Sequence, residues 1–352
     1  MSINYETGLD VGTQKRRQDG INEDSIAVNV LEDGHLDTDR SAGVFVLADG
    51  AGGEEAGEIA SYVATVEITR RLTQTLWDDW RLETLLDDEM AAGRDRELDE
   101  AMATDPLAER EPSWVLNRIE TAIQSTHTRI LQTVRELGLE SAYTTVVVAV
   151  KIADRLYVGW VGDSRAYVIN RHPARSDGQR ICLLTRDHSV VEGLVQRGEI
   201  DEVEAHVHRE GNRITRALGG SRTESPTEST VQVETRHVRV FDDDVILLTS
   251  DGLIDAYVDA PLLHDEYKQS SDTSDIEAEI LEKSVTDDEI GERVMDTRSL
   301  EDAVGRLLTL ANRRGGKDNL SLVLFQDETL DPSPVEEFPD RGYRPHSGDR
   351  TD

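Results

Sequence analysis

The sequence predicts a single layered domain in which β-sheets are covered by helices. Three observations carry this reading: five short runs rich in β-branched residues, three longer stretches with apolar residues three and four apart, and a clustering of strand-like runs toward both ends with helical stretches between. The 352 residues would fill one large domain or two ordinary ones. No fixed-period repeat and no sharp change of composition marks a second domain.

The strand-like runs are Gly43–Ala48 (GVFVLA), Thr144–Val150 (TTVVVAV), Leu156–Val161 (LYVGWV), Val245–Thr249 (VILLT) and Leu320–Phe325 (LSLVLF). Continuous apolar runs of this length suit strands buried on both faces. Helical spacing predicts helices over Gly57–Trp77, Ser113–Leu137 and Leu300–Arg314. The charged stretch 78–112, with Gly93 and Pro106 as breakers, reads as an insertion, and a second insertion spans about 261–296. Residues 1–327 therefore form the domain. Residues 328–352, with four prolines, many charges and almost no apolar side chains, are expected to be a disordered tail.

Charge excludes one broad class of function. Against 38 Lys and Arg stand 72 Asp and Glu, a formal net charge of -34, so nucleic-acid binding through a basic face is not expected. The acids are interspersed among apolar patterns rather than blocked, which suits a solvated surface. Only Lys15, Lys151, Lys268, Lys283 and Lys317 are lysines, and arginine carries nearly all the positive charge, a balance that resembles proteins from salt-loving archaea. In roughly molar salt the Debye length falls to about 3 Å and removes most of the self-repulsion. A single cysteine, Cys182, permits no intrachain disulfide and reads as a small core residue. With no apolar run of membrane-spanning length and no basic, apolar leader, the expectation is a cytoplasmic monomer without membrane contact.

The chemistry is carried by carboxylates at strand ends. Asp49 follows GVFVLA, Asp251 follows VILLTS, Asp163 follows LYVGWVG and Asp318 precedes NLSLVLF. One Asp-Gly pair after a strand is weak evidence, since it is also a common hairpin turn. Several at strand ends can meet at one edge of layered sheets and form the oxygen cage that hard divalent cations require. The nine histidines are scattered and no CxxC or HExxH occurs, so spacing supports an oxygen-rich magnesium or manganese site and no zinc site. Two such ions about 3.5–4 Å apart can clamp a phosphoryl oxygen and activate a water for attack.

Eight segments in order, DVGTQKRRQDGINEDS, ADGAGGEEAGEIAS, YTTVVVAV, VGDSRAYVI, LTRDHSVVEGLVQRGEI, RITRALGG, LLTSDGLID and GGKDNLSLVLF, cover most of Leu9–Phe325. Together they resemble the metal-dependent serine/threonine protein phosphatases of type 2C, as found in bacteria and archaea. The resemblance implies an α+β fold, a four-layer α-β-β-α sandwich of two antiparallel sheets flanked by helices, with the metals at one end. It implies hydrolysis of phosphoserine and phosphothreonine on proteins by a water activated by two Mn2+ or Mg2+ ions, with a cognate serine/threonine kinase as opposing partner.

Carried over by residue, Asp49 bridges both metals, the Gly50 carbonyl ligates one, and Asp251 and Asp318 hold the other. Asp24 contacts the first metal directly or through water, with Glu23 beside it as a ligand of metal-held water. Asp163 resembles the aspartate of a third, weaker site in microbial members. Ser164, Arg165, His188 and His206 read as structural, Lys317 and Asn319 as supporting groups flanking Asp318, and about Val190–Arg213 as the segment that forms a flap in bacterial relatives.

Two departures stand out. Where the family places a phosphate-binding arginine, five residues before the second acidic residue, this chain has Asp19; Arg16 and Arg17 lie just upstream, and Arg17 is the preferred phosphate ligand. Where animal members carry a histidine proposed as general acid, this chain has Ala51. The altered first motif leaves an alternative, a weakly active or inactive relative that binds phosphoproteins as a regulatory module. The insertion at 78–112 either docks a partner such as an opposing kinase or elaborates a salt-adapted surface, and the second reading is preferred.

Overall fold

The structure is a computed structural model that describes residues 3–35, 38–51, 56–80, 107–108, 110–173, 180–254, 260–270, 272–336 and 339–341. Among these, thirteen strands are numbered in chain order: β1 Ile3–Asp10, β2 Ser25–His35, β3 Thr38–Ala48, β4 Gly50–Ala51, β5 Ser141–Thr144, β6 Val146–Ile152, β7 Arg155–Val161, β8 Arg165–Asn170, β9 Ile181–Leu183, β10 Leu218–Ser221, β11 Glu234–Arg239, β12 Asp244–Thr249 and β13 Leu320–Asp327. They form one five-stranded sheet in the order β1-β13-β12-β8-β9, another in the order β11-β7-β6-β3-β2, and a small sheet β10-β5-β4. Every pairing is antiparallel.

Side-chain alternation explains why the central strands read as unbroken apolar runs. In β3, Val44 and Val46 point to one apolar cluster while Phe45 and Leu47 point to another. Strand β6 divides likewise, Val146, Val148 and Val150 against Val147 and Ala149. In the other sheet, Val245, Leu247, Leu322 and Leu324 face outward to helices, and Ile246, Leu248, Val323 and Phe325 face inward. The inward sets form the layer between the sheets, where the rings of Phe45 and Phe325 stack with centroids 3.7 Å apart.

Helices close the outer faces. Helix α1 is the short Thr13–Arg17; α2 (Gly57–Trp80) and α3 (Pro112–Leu137) cover the β3 sheet through Ala60, Ala64, Ile68, Ile119, Ile123 and Ile130. Helix α3 starts with proline in its first turn and stops at Gly138, whose φ of 72° ends it in a left-handed cap. Next come α4 (Val190–Gln196), α5 (Glu202–Ala205), α6 (Ala260–Gln269), α7 (Ser274–Lys283), α8 (Asp287–Met295) and α9 (Leu300–Arg314). Helix α9 is capped by Ser299, whose side chain accepts from the Asp302 N–H, and packs Ala303, Val304, Leu307 and Leu310 on the β13 sheet. The result is the expected four-layer α-β-β-α sandwich.

Some elements differ from the sequence reading. The Thr144–Val150 run is two strands, because the chain leaves the small sheet at Thr144 and enters the large one at Val146. Residues 81–106 and 109 of the first insertion lie outside the described residues, although Leu107 is buried in the helix-covered cluster. The second insertion is built of α6, α7 and α8, and α8 sends Ile290 and Val294 into the core. The expected disordered tail is in part laid on the domain: Ser333 Oγ donates to Asp243, and the buried Arg341 forks onto Asp244 while lying over the Phe241 ring. Residues 342–352 fall outside the described set.

Because the Phe45–Phe325 stack joins the two sheets, Phe325→Ala should lower the unfolding free energy by about 3–5 kcal/mol, read as a shift in denaturant midpoint in high salt. A loss below about 1 kcal/mol would mean that the inter-sheet layer tolerates the cavity.

Candidate metal centre

The strands end together. Asp49 follows β3 and Asp163 lies two residues past β7 in one sheet, while Asp251 lies two residues past β12 and Asp318 two residues before β13 in the other. Asp24 immediately precedes β2. Their charges act on one another: Asp49 feels Asp24, Asp251 and Asp163, and Asp24 feels Asp318. Aspartates spread over almost 300 positions of sequence thus share one end of the sandwich.

Backbone and hydroxyl groups hold them. The Asp49 carbonyl accepts from the Thr144 hydroxyl and from the Thr145 N–H, both at 2.8 Å, and its N–H donates to Thr145 Oγ1 at 3.1 Å. Thr145 Oγ1 in turn lies 2.7 Å from Ser164 Oγ, in the turn that carries Asp163. The Ser321 hydroxyl donates to Asp24 Oδ2 at 2.5 Å, whereas Asp24 Oδ1 is buried and makes no hydrogen bond. Burial, then the repulsion of neighbouring carboxylates, holds the Asp49 carboxyl well above the usual range; burial chiefly raises Asp24 to about 6. A buried oxygen lacking a partner, an all-oxygen donor set and mutually repelling carboxylates together fit a hard divalent cation.

The two Asp-Gly pairs are not hairpin turns. Gly50 opens β4, and Gly252 lies in a single 3-10 turn, Asp251–Leu253. Both are glycine because backbone passes close by: a Cβ on Gly252 would sit 1.9 Å from the Asn319 carbonyl oxygen, and one on Gly50 2.3 Å from the Gly57 carbonyl oxygen. The glycines let neighbouring backbone pack directly beside Asp49 and Asp251.

The sequence reading missed Lys15. Its ammonium donates to Glu23 Oε2 at 2.9 Å, Asp318 Oδ1 at 2.8 Å and Asn319 Oδ1 at 2.7 Å. Burial pulls the Lys15 pKa down, but the hydrogen bonds and charges of Asp318 and Glu23 outweigh it and raise the value overall. Arg17 is exposed and makes no ion pair with these groups, and Arg16 forks onto Asp10 instead. The geometry is that of a helix: residues two apart point roughly 200° from each other, so a face that offers Lys15 turns Arg17 away. Between α1 and Asp24 the chain passes through Gln18 and Asp19, the latter at a φ of 58°.

Asn319 is the hub of the supporting groups. Its Oδ1 accepts from the Glu23 N–H as well as from Lys15, and its Nδ2 donates to the Val11 and Ile21 carbonyls. Lys317 instead reaches Asn212 Oδ1 in the flap segment at 2.9 Å. Arg165 forks onto Asp187, a structural ion pair. His188 Nδ1 accepts from the Gly162 N–H, which puts its proton on Nε2, donated to Glu234 Oε1 at 3.0 Å. His206 is largely covered, and burial lowers its proton affinity. Ala51 lines a cavity of about 580 Å³ with Tyr143, Arg216 and His127. His127 is committed on both nitrogens, to the Gly219 N–H and the Ser229 hydroxyl.

Fold and donor set together fit a divalent-cation centre at the end of a two-sheet sandwich. Comparison with known proteins gives the class its family. A family model for protein phosphatase 2C matches residues 11–287. The serine/threonine phosphatase stp of Listeria monocytogenes serotype 4b is 28% identical over 283 residues, 80% of this chain and 84% of that protein. The crystal structure of the Mycobacterium tuberculosis serine/threonine phosphatase PstP/Ppp superposes with a TM-score of 0.60 at 24% identity, covering 94% of this chain and 99% of that one. The catalytic domain of PstP in complex with two manganese ions gives 0.57, again at 24% identity, covering 92% and 97%. This chain belongs to the protein phosphatase 2C family, the metal-dependent serine/threonine protein phosphatases.

The raised Asp24 pKa has a sign that can be tested. A carboxyl whose folded value lies above its unfolded value of 3.8 contributes stability that is fully present below about pH 4 and lost as pH rises through about 6. Chelator-treated protein should therefore lose melting temperature relative to Asp24→Asn between pH 4 and 7, and manganese should restore the wild type. Parallel melting curves for the two proteins across that range would refute the assignment.

Proposed function

We propose that this phosphatase hydrolyses phosphoserine and phosphothreonine monoesters of proteins at the carboxylate cluster, with two Mn2+ or Mg2+ ions as cofactors. The observation that carries the assignment is the convergence of Asp24, Asp49, Asp163 and Asp251 around one buried point, with a buried Asp24 oxygen that no protein donor meets. When bound, such ions lower the pKa of water toward neutrality and neutralise phosphoryl charge.

In this reading Asp49 serves both ions, the Gly50 carbonyl and Asp24 serve the first, and Asp251 and Asp318 the second. Asp163 serves a third, weaker site. Thr144 and Thr145 keep Asp49 in place, and Ser321 fixes the rotamer of Asp24. Lys15, rather than Arg17, is the cation at the cluster and supplies positive charge for the phosphate, while Glu23, Asp318 and Asn319 hold its ammonium. An ammonium is a point charge and gives up the two-pronged grip of a guanidinium, so phosphate orientation falls more to the cations. With His127 committed and Ala51 at the position of the animal histidine, leaving-group protonation falls to solvent at the centre rather than to an imidazole.

Membership of the family supports phosphorylated proteins as substrates, and the single cysteine suits a reducing compartment.

Turnover of a phosphothreonine peptide in high salt should require manganese or magnesium and vanish with chelator. Asp49→Asn and Asp251→Asn should each lose about 1,000-fold or more in kcat with the fold retained; unchanged turnover would sink the assignment and favour a phosphoprotein-binding module. Lys15→Ala should lower kcat/KM by about 10–100-fold, while Arg17→Ala stays within about two-fold. The reverse ranking would return phosphate binding to Arg17.

A further inference from the structure

Away from the carboxylate end, metal-ligand side chains from two separate elements meet: Glu204 of α5, His208 just beyond it, and His264 of α6. One Glu204 oxygen and one nitrogen of each ring all lie within 4.8 Å of one another. Sequence spacing concealed this group, because 56 positions separate the two histidines and only the packing of the flap on the second insertion brings them together. That contact is well built. Val207, Leu263 and Ile280 are buried in it, Tyr267 OH donates to Asp201 Oδ2 at 2.7 Å, and Arg209 pairs with Asp265.

We propose that Glu204, His208 and His264 form a zinc site that pins the flap to helix α6. Two imidazoles and a carboxylate suit a borderline cation such as zinc, in contrast to the all-oxygen catalytic set. Glu204 is buried, which focuses its charge, and the buried His264 turns a ring nitrogen toward it. His264 Nε2 lies 3.3 Å from Glu204 Oε1, and the two rings meet edge-on at 5.0 Å.

Three contacts give way when the ion binds, the first that of His264 Nε2 with Glu204 Oε1. Lys268 Nζ sits 2.6 Å from Glu204 Oε1 and 2.7 Å from Oε2 as the present counter-charge, but its side chain is half exposed and can swing to solvent. His208 Nδ1 accepts from the Glu210 N–H at 3.2 Å, and ligation through Nε2 moves the ring proton and releases that long bond. Ligands about 2.1 Å from a tetrahedral zinc stand about 3.4 Å apart, so side-chain rotations must close the present spread. The consequence reaches the substrate side: His208 lines a cavity of about 940 Å³ together with Arg186, His206, Asn212 and Lys317, the neighbour of Asp318. Fixing the flap fixes that cavity's wall.

The test titrates zinc alone into chelator-stripped full-length protein against a chromophoric chelator. Wild type should bind one more zinc than the His208→Gln/His264→Gln double variant, and either single variant should weaken that site about 100-fold or more. Lys268→Ala, which removes the competing ammonium, should tighten it several-fold. Zinc should also slow tryptic cleavage after the exposed Arg197, Arg209 and Arg213 about ten-fold in wild type but not in the variants. Circular dichroism and unchanged manganese-dependent turnover of a small aryl phosphate by His208→Gln show that the fold and the catalytic centre persist. Equal zinc stoichiometry in wild type and His208→Gln, or unchanged affinity in Lys268→Ala, overturns the site. Zinc that binds without protecting the flap overturns the pin.

Discussion

Repulsion among carboxylates is the constraint around which the rest of this molecule is arranged. Asp24, Asp49, Asp163, Asp251 and Asp318 come within range of one another at one end of the sandwich, and burial of Asp24 and Asp49 strengthens the repulsion they feel. Flexible loops would relieve that cost by moving apart. Here the groups are anchored to strands whose side chains are buried on both faces, and the Asp49 backbone is held by three hydrogen bonds from Thr144 and Thr145. The stability of the core keeps the carboxylates together until a cation arrives.

The layers were legible because their physical cause is local. Alternating burial on two apolar faces writes an unbroken run such as GVFVLA, and three and four spacing writes a helix such as Leu300–Arg314, whose bounds matched the structure. Strands with one wet face, such as β1 and β11, carry charges and polar groups at alternate positions and did not stand out. The break at Thr145 was hidden for another reason: it depends on which sheet each half of the run joins, and that is tertiary information.

In the carboxylate cluster, the aspartates were legible because each lies beside a strand end, where residue type and position coincide. The cation that meets the cluster was not, since choosing among Lys15, Arg16 and Arg17 requires the helical face that meets Asp318 and Asn319. The buried Arg341 on Asp244 was illegible for a similar reason: a segment poor in apolar residues can still dock when it supplies the one cation that a buried carboxylate lacks.

Among β3, β6, β7, β8, β12 and β13, the acidic side chains that the structure describes are Asp244 and Asp327, and each is buried against a cation, Arg341 and Lys151 respectively. The chain's negative charge is therefore exported to edge strands, helices and loops, which form the outer skin. Interior and exterior are chemically decoupled by this layering. Surface acidity can be raised or lowered to suit the surrounding electrolyte while the scaffold that aims the clustered carboxylates stays unaltered, so the two properties rest on separate sets of positions.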